Sequence, residues 1–187
     1  TKESISLDEF TEVIIEYCLD KPKKDVLIIL NTKKTTLETY RNIYNSIDNE
    51  ENEIFYLTTL ITPFERKQII KKIKSKNKGR RQIIVSTQLV EAGVDISVDT
   101  VFRALAPLDS IIQAAGRANR YNEKEEVSEV YLYKIDELEK VTGFIYGADL
   151  IKKTENVLKD FDIVEEKEYL KLIQNYFEQV KDLSVYS

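Results

Sequence analysis

Apolar positions in the first two thirds of the chain follow two alternating rhythms. Phe10, Val13, Ile14 and Tyr17 recur at helical spacing, and Ser6 with Glu9 ahead of them is the capping-box signature of a helix start. Lys21-Pro22-Lys23-Lys24 ends that helix, and Val26–Leu30 is an unbroken apolar run suited to a buried strand. Leu37, Tyr40, Tyr44 and Ile47 mark a second helix, with Asn31-Thr32 as its cap. Residues 54–57 predict the next strand. Thr62-Pro63-Phe64-Glu65 combines a cap, a first-turn proline and a capping glutamate at the start of a third helix. That helix turns Ile69, Ile70 and Ile73 inward and its lysines outward, and Gly79 stops it. Residues 83–85, 100–105 and 129–135 predict three more strands, with Asp109 capping a short helix between the last two.

Strands alternating with helices imply an α/β domain with a parallel sheet covered on both faces and right-handed crossovers. Ligands of such sheets gather at the carboxyl ends of the strands, where Thr32, Thr58, Thr87 and Asp95 fall. From Asp136 the strand signals stop. Helical marks follow at Val157, Leu158 and Phe161, then at Tyr169, Leu172, Ile173 and Tyr176, with residues 142–147 as an interruption. The expected division is a sheet domain over 1–135 and a helical extension, or the root of a further domain, over 136–187.

Composition narrows the chemistry. The 187 residues contain no histidine, which excludes a histidine metal site and a histidine general base. The single cysteine, Cys18, lies on the apolar side of the first helix and reads as a core residue. It excludes a disulfide framework and predicts a reducing cytoplasm. No apolar run reaches the length of a membrane span, and Thr1 opens no signal peptide. The absence of methionine, even at position 1, predicts a fragment or a trimmed product. The net charge of −5 hides a local basic run of Arg66, Lys67, Lys71, Lys72, Lys74, Lys76, Lys78, Arg80 and Arg81. A solvated helix face is the default reading of that run, and a nucleic-acid patch is the alternative. Tyr40, Tyr44 and Tyr56 follow core spacing and are not counted as base-stacking platforms.

The densest chemistry lies in Gln113-Ala114-Ala115-Gly116-Arg117-Ala118-Asn119-Arg120. If this stretch is helical, its two arginines aim the same way, an arrangement suited to the charge of a transferring phosphoryl group. Yet the chain has no Gly-x-x-x-x-Gly-Lys-Ser/Thr phosphate cradle and no acidic pair at a strand end to hold magnesium. It reads as one side of a split site. Plainer readings stand beside that one: Gly116 for close helix packing, Arg117 and Arg120 as surface charges, Asp95 as a turn former, Thr32 and Thr87 as caps. Glu91 is equally a salt-bridge partner or a motif contact.

Gln113-x-x-Gly116-Arg117-x-x-Arg120 resembles motif VI of superfamily 2 helicases, residues 87–95 resemble motif V, and residues 26–35 resemble motif IV. The motifs occur in the family's order and cover roughly 24–135. That resemblance implies the second RecA-like domain, a three-layer fold with a mostly parallel sheet. More narrowly, residues 86–96 and the Ala106-Pro107-Leu108-Asp109-Ser110 link are similar to the helicase-nuclease family of type I CRISPR systems, as is the stretch 58–66. Ala114 departs from that family, where a basic residue is frequent. By resemblance, Arg117 and Arg120 contact the γ-phosphate and Gln113 lines the nucleotide cleft beside Gly116. Gly93 and Asp95 couple that cleft to the nucleic-acid track. Thr32, Thr87 and Thr58 or Thr59 contact the DNA backbone. The resemblance further implies ATP and Mg2+ held mainly by a first RecA-like lobe, 3′-to-5′ movement on single-stranded DNA, a metal-dependent HD nuclease and a guide-RNA surveillance complex as partner in antiviral defence. The alternatives are a lobe of another superfamily 2 branch, acting on RNA or in repair, and a non-catalytic RecA-like interaction module.

Overall fold

The computed structural model describes residues 4–75, 79–91, 94–121 and 127–184. Helix α1 (Leu7–Asp20) begins with the expected box: Ser6 Oγ accepts from Glu9 N, and the Glu9 carboxylate accepts from Ser6 N at 2.8 Å. It leads to β1 (Val26–Leu30), α2 (Lys33–Ser46), β2 (Asn52–Leu57), α3 (Pro63–Ser75) and β3 (Arg81–Thr87). Next come β4 (Thr100–Ala104), α4 (Leu108–Ala115) and β5 (Glu129–Tyr133). The chain then turns helical through α5 (Glu139–Tyr146), α6 (Ala148–Leu158) and α7 (Tyr169–Ser184).

The strands form one parallel sheet in the order β2-β3-β1-β4-β5, with Val26 opposite both Ile83 and Thr100. Alternate side chains of β1 enter opposite layers, as the period of two requires. Ile28 and Leu30 pack with Phe10, Ile14 and Cys18 of α1 and Ile43 of α2. Leu27 and Ile29 pack with Ile73 of α3 and Ala114 of α4 on the other face. Both layers bury β1 completely, which explains its continuous apolar run. A third, smaller cluster joins Leu108 at the start of α4 to Val157 of α6 and Leu172 and Tyr176 of α7.

Four local expectations need correction. The buried face of α2 is Thr35, Thr36, Thr39 and Ile43, whereas Tyr44 is exposed. The Thr36 hydroxyl donates to Thr32 O at 2.6 Å, so it enters the core with its polar atom satisfied by its own helix. Pro107 rather than Asp109 occupies the cap position of α4, and Asp109 lies in the first turn. Residues 142–146 continue α5, and the break falls at Gly147 alone, where φ is +91°. Finally, α4 ends at Ala115, so the segment carrying Arg117 and Arg120 is not helical.

Candidate functional site

Leaving α4 at Gly116, the chain passes beside residue 98 in a parallel bridge, Val98 opposite Ala118. Val98 N donates to Arg117 O at 3.0 Å, Asn119 N donates to Val98 O at 2.8 Å, and Asn119 takes φ +45°. Arg120 N donates to Ser97 Oγ at 3.1 Å. The segment that resembles motif VI is thus hydrogen-bonded to residues 97 and 98, just past the one that resembles motif V.

The two arginines part company there. Arg117 is 8% exposed, and its Nη2 donates to the main-chain oxygen of Glu91 at 2.5 Å. Its buried Nε has no hydrogen-bond partner among the described residues. Arg120 stays at the surface, with Nε 3.5 Å from Asp95 Oδ1. Asp95 also accepts from the Tyr121 hydroxyl and pairs with Lys74 Nζ at 3.0 Å. The Tyr121 hydrogen bond, then that from Lys74, holds the Asp95 carboxyl below the usual carboxylate range. The convergent pair expected for a helix is therefore a divergent one, because each guanidinium follows a different acceptor in the neighbouring segment. Gln113, Gly116 and Arg120 are exposed together, while Ala114 and Arg117 face inward. Gly116 has φ −64°, and a Cβ added there meets only Gln113 O and Ile112 O, each at 3.5 Å. Its own fold leaves room for a side chain, so close helix packing does not account for the glycine. Gly93 lies outside the described residues, as do Lys76 and Lys78.

The three threonines fall at strand ends as expected but differ in access. Thr32 Oγ1 caps α2 by accepting from Thr35 N at 3.1 Å, and the residue is half-buried. Thr87, at the end of β3, is buried and makes no cap bond. Thr58 is fully buried, and its Oγ1 accepts from Leu60 N at 3.2 Å. In this conformation Thr58 offers no hydroxyl to an external ligand. The end of the basic run is structural: buried Arg81 donates to Asn52 Oδ1 at 2.7 Å and Lys21 O at 3.1 Å, and Arg80 donates to Asn52 O at 2.7 Å.

Sequence reading overlooked Arg103. It is wholly buried in β4, with Nη2 2.7 Å from Glu91 Oε1. Its Nη1 donates to Asn31 Oδ1 at 2.6 Å and Ala104 O at 2.9 Å, and its Nη2 donates to the Tyr146 hydroxyl at 3.2 Å. Asn31 Nδ2 in turn donates to Leu105 O and Thr142 Oγ1, both at 2.8 Å. The signal was a charge inside an otherwise apolar strand, and only a partner such as Glu91 makes that tolerable. Glu91 is thereby a salt-bridge residue; burial raises its carboxyl pKa while Arg103 opposes the rise.

Residues 22–123 match the family model described as CRISPR-associated nuclease/helicase Cas3, C-terminal. The chain belongs to the Cas3 family. A Cas3 relative from Methanothermobacter thermautotrophicus is 24% identical over 145 residues, which cover 76% of this chain and 17% of that protein. The chain therefore spans only a small part of the relatives it matches. The fold agrees with the solved structure of T. fusca Cas3-ATP at TM-score 0.79 and 16% identity, covering 94% of this chain and 23% of the other. The C-terminal domain of the DEAD-box protein Dbp5 aligns at TM-score 0.58 and 16% identity, covering 86% and 84%. The five-stranded parallel sheet is thus the RecA-like fold common to these proteins. Ala114 is fully buried in the cluster that also holds Ile73 of α3.

Proposed function

We propose that this chain is the second RecA-like lobe of an ATP-dependent DNA helicase of a type I CRISPR system. The observation that carries the reading is the segment 116–120, held against residues 91–98. It presents Gln113, Gly116 and Arg120 outward and fixes Arg117 against the Glu91 carbonyl, in a chain with no phosphate cradle of its own. A γ-phosphate brought by the first lobe takes Arg120 from Asp95, since a phosphate carries more charge than the single carboxylate it displaces. Arg117, already oriented by the Glu91 carbonyl, adds a second positive charge beside the charge that develops during transfer. The open space over Gly116 lets the nucleotide approach the main chain.

In this reading Asp95, with Gly93, couples the cleft to single-stranded DNA, which runs along the strand ends by Thr32 and Thr87. Thr58 contributes by holding its loop rather than by touching DNA. Residues 1–135 form the lobe and 136–187 the extension packed on Leu108. Magnesium belongs to the first lobe, and no group of three or more metal-ligating side chains occurs among the described residues. The partners are an HD nuclease and a guide-RNA surveillance complex in the cytoplasm, with 3′-to-5′ movement and target degradation as the outcome. Among the described residues no helix is long and apolar enough to cross a membrane.

The test joins the chain to its first lobe and compares Arg117→Ala and Arg120→Ala with the parent. DNA-stimulated ATP turnover is expected to fall on the order of a thousandfold for the more important arginine, by analogy with supplied arginine fingers. Turnover unchanged in both variants overturns the reading.

A further inference from the structure

Glu91 holds two cations with two different groups. Its main-chain oxygen accepts from Arg117, and its carboxylate pairs with Arg103. The side chain joins a buried polar cluster at the carboxyl ends of β1 and β4, where Asn31, Ala104 O and Tyr146 hold the guanidinium of Arg103 from other directions. Rotating Glu91 away would leave a wholly buried arginine without its counter-charge. The carboxylate is therefore held on the Arg103 side, which restrains the residue whose carbonyl meets Arg117. Ser110 also hydrogen-bonds that carboxylate, and the turn's own hydrogen bond, Glu91 N to Gln88 O, ties down the amide of residue 91 rather than its carbonyl.

We infer that Arg103 is a positioning residue for phosphoryl transfer: by clamping the Glu91 carboxylate from inside the sheet, it aims the Glu91 carbonyl that orients Arg117. Tyr146 of α5 serves the same purpose at one remove, since its hydroxyl accepts from Arg103. This inference rests on the reading of Arg117 as an arginine finger. It assigns Arg103 no contact with nucleotide or DNA, because the residue has no exposed surface.

The experiment measures steady-state ATP hydrolysis and DNA affinity in the two-lobed helicase carrying Arg103→Lys, Arg117→Ala or both. Arg103→Lys keeps the charge but removes the fork that reaches Glu91, Asn31 and Tyr146 together. The expected result is a kcat lower by about tenfold, with KM for ATP and DNA affinity within about twofold of the parent. In the Arg117→Ala background the same change should cost less than about twofold, since an absent finger needs no aiming. Losses that multiply, or an unchanged kcat, overturn the inference. If Arg103→Lys does not fold, Tyr146→Phe takes its place, with about a threefold loss of kcat that again disappears without Arg117. A kcat in Tyr146→Phe equal to the parent's then overturns the inference. An inert Arg117→Ala sinks the reading of Arg117 as a finger, whereas a damaging Arg117→Ala beside a harmless Arg103→Lys sinks only the positioning role.

Discussion

Asp95 is the most connected exposed carboxylate described at the site, and its neighbours set a competition. Lys74, Arg120 and Tyr121 all converge on it, so Arg120 is held but not sequestered. Replacing it, Asp95→Asn, should leave the fold intact, because every group involved reaches solvent. It should also strengthen binding of simple polyphosphates, read as a lower Kd by titration calorimetry; an unchanged Kd would show that Arg120 does not take part in anion binding. Cys18 gives a second residue-level prediction. Burial pushes its thiol up to about 11, so almost no thiolate exists at pH 8. Iodoacetamide should label the native chain far more slowly than the urea-unfolded chain, and equal rates would contradict the packing of α1. At this scale the closeness of Arg117 and Arg120 along the chain was legible, but their directions were not. The acceptors, Glu91 O and Asp95, are remote in sequence, and no local periodicity encodes them. Arg103 was missed because an apolar strand reads as core whether or not one member carries a charge.

Capping decides where several of these elements begin. Thr32 holds the first turn of α2, so Thr32→Ala should lose about 1 kcal/mol in urea unfolding, while Thr32→Ser should lose little. A DNA-binding assay at this position needs the serine variant, or a loss of helix will be mistaken for a loss of contact. At α3, Thr62 and Glu65 cap each other, and the Glu65 carboxyl is held below its ordinary value by the hydrogen bonds from Thr62. A depressed carboxyl pKa means this contribution is complete above the ordinary carboxylate value and is lost as pH falls through the depressed one. The protection of Thr62 N against exchange, taken relative to the intrinsic rate at each pH, should therefore fall on acidification through the carboxylate range, and Glu65→Gln should remove that dependence. Both caps were readable from residue types alone, as were all five strands. The inward face of α2 was not, because threonines that return their hydroxyls to the helix pack like small apolar residues. Nor was the continuity of α5, where Gly143 sits within a helix and only Gly147 takes the conformation that breaks it.

For the molecule as a whole, the alternation of strands and helices announced a parallel sheet, yet the strand order was beyond reach, since a buried run does not name its neighbours. On the split-site reading, the isolated 187-residue chain should show negligible ATP hydrolysis with or without DNA. Robust DNA-stimulated turnover by this chain alone would dismiss the idea of a missing lobe. The order β2-β3-β1-β4-β5 also has a consequence in time. The middle strand is made first, while the partners for both its edges come from β3 and β4, synthesised much later. Until they emerge, Val26–Leu30 is a nascent, wholly apolar ribbon with two bare hydrogen-bonding rims. During synthesis it is the segment of this lobe best suited to capture by a ribosome-associated chaperone.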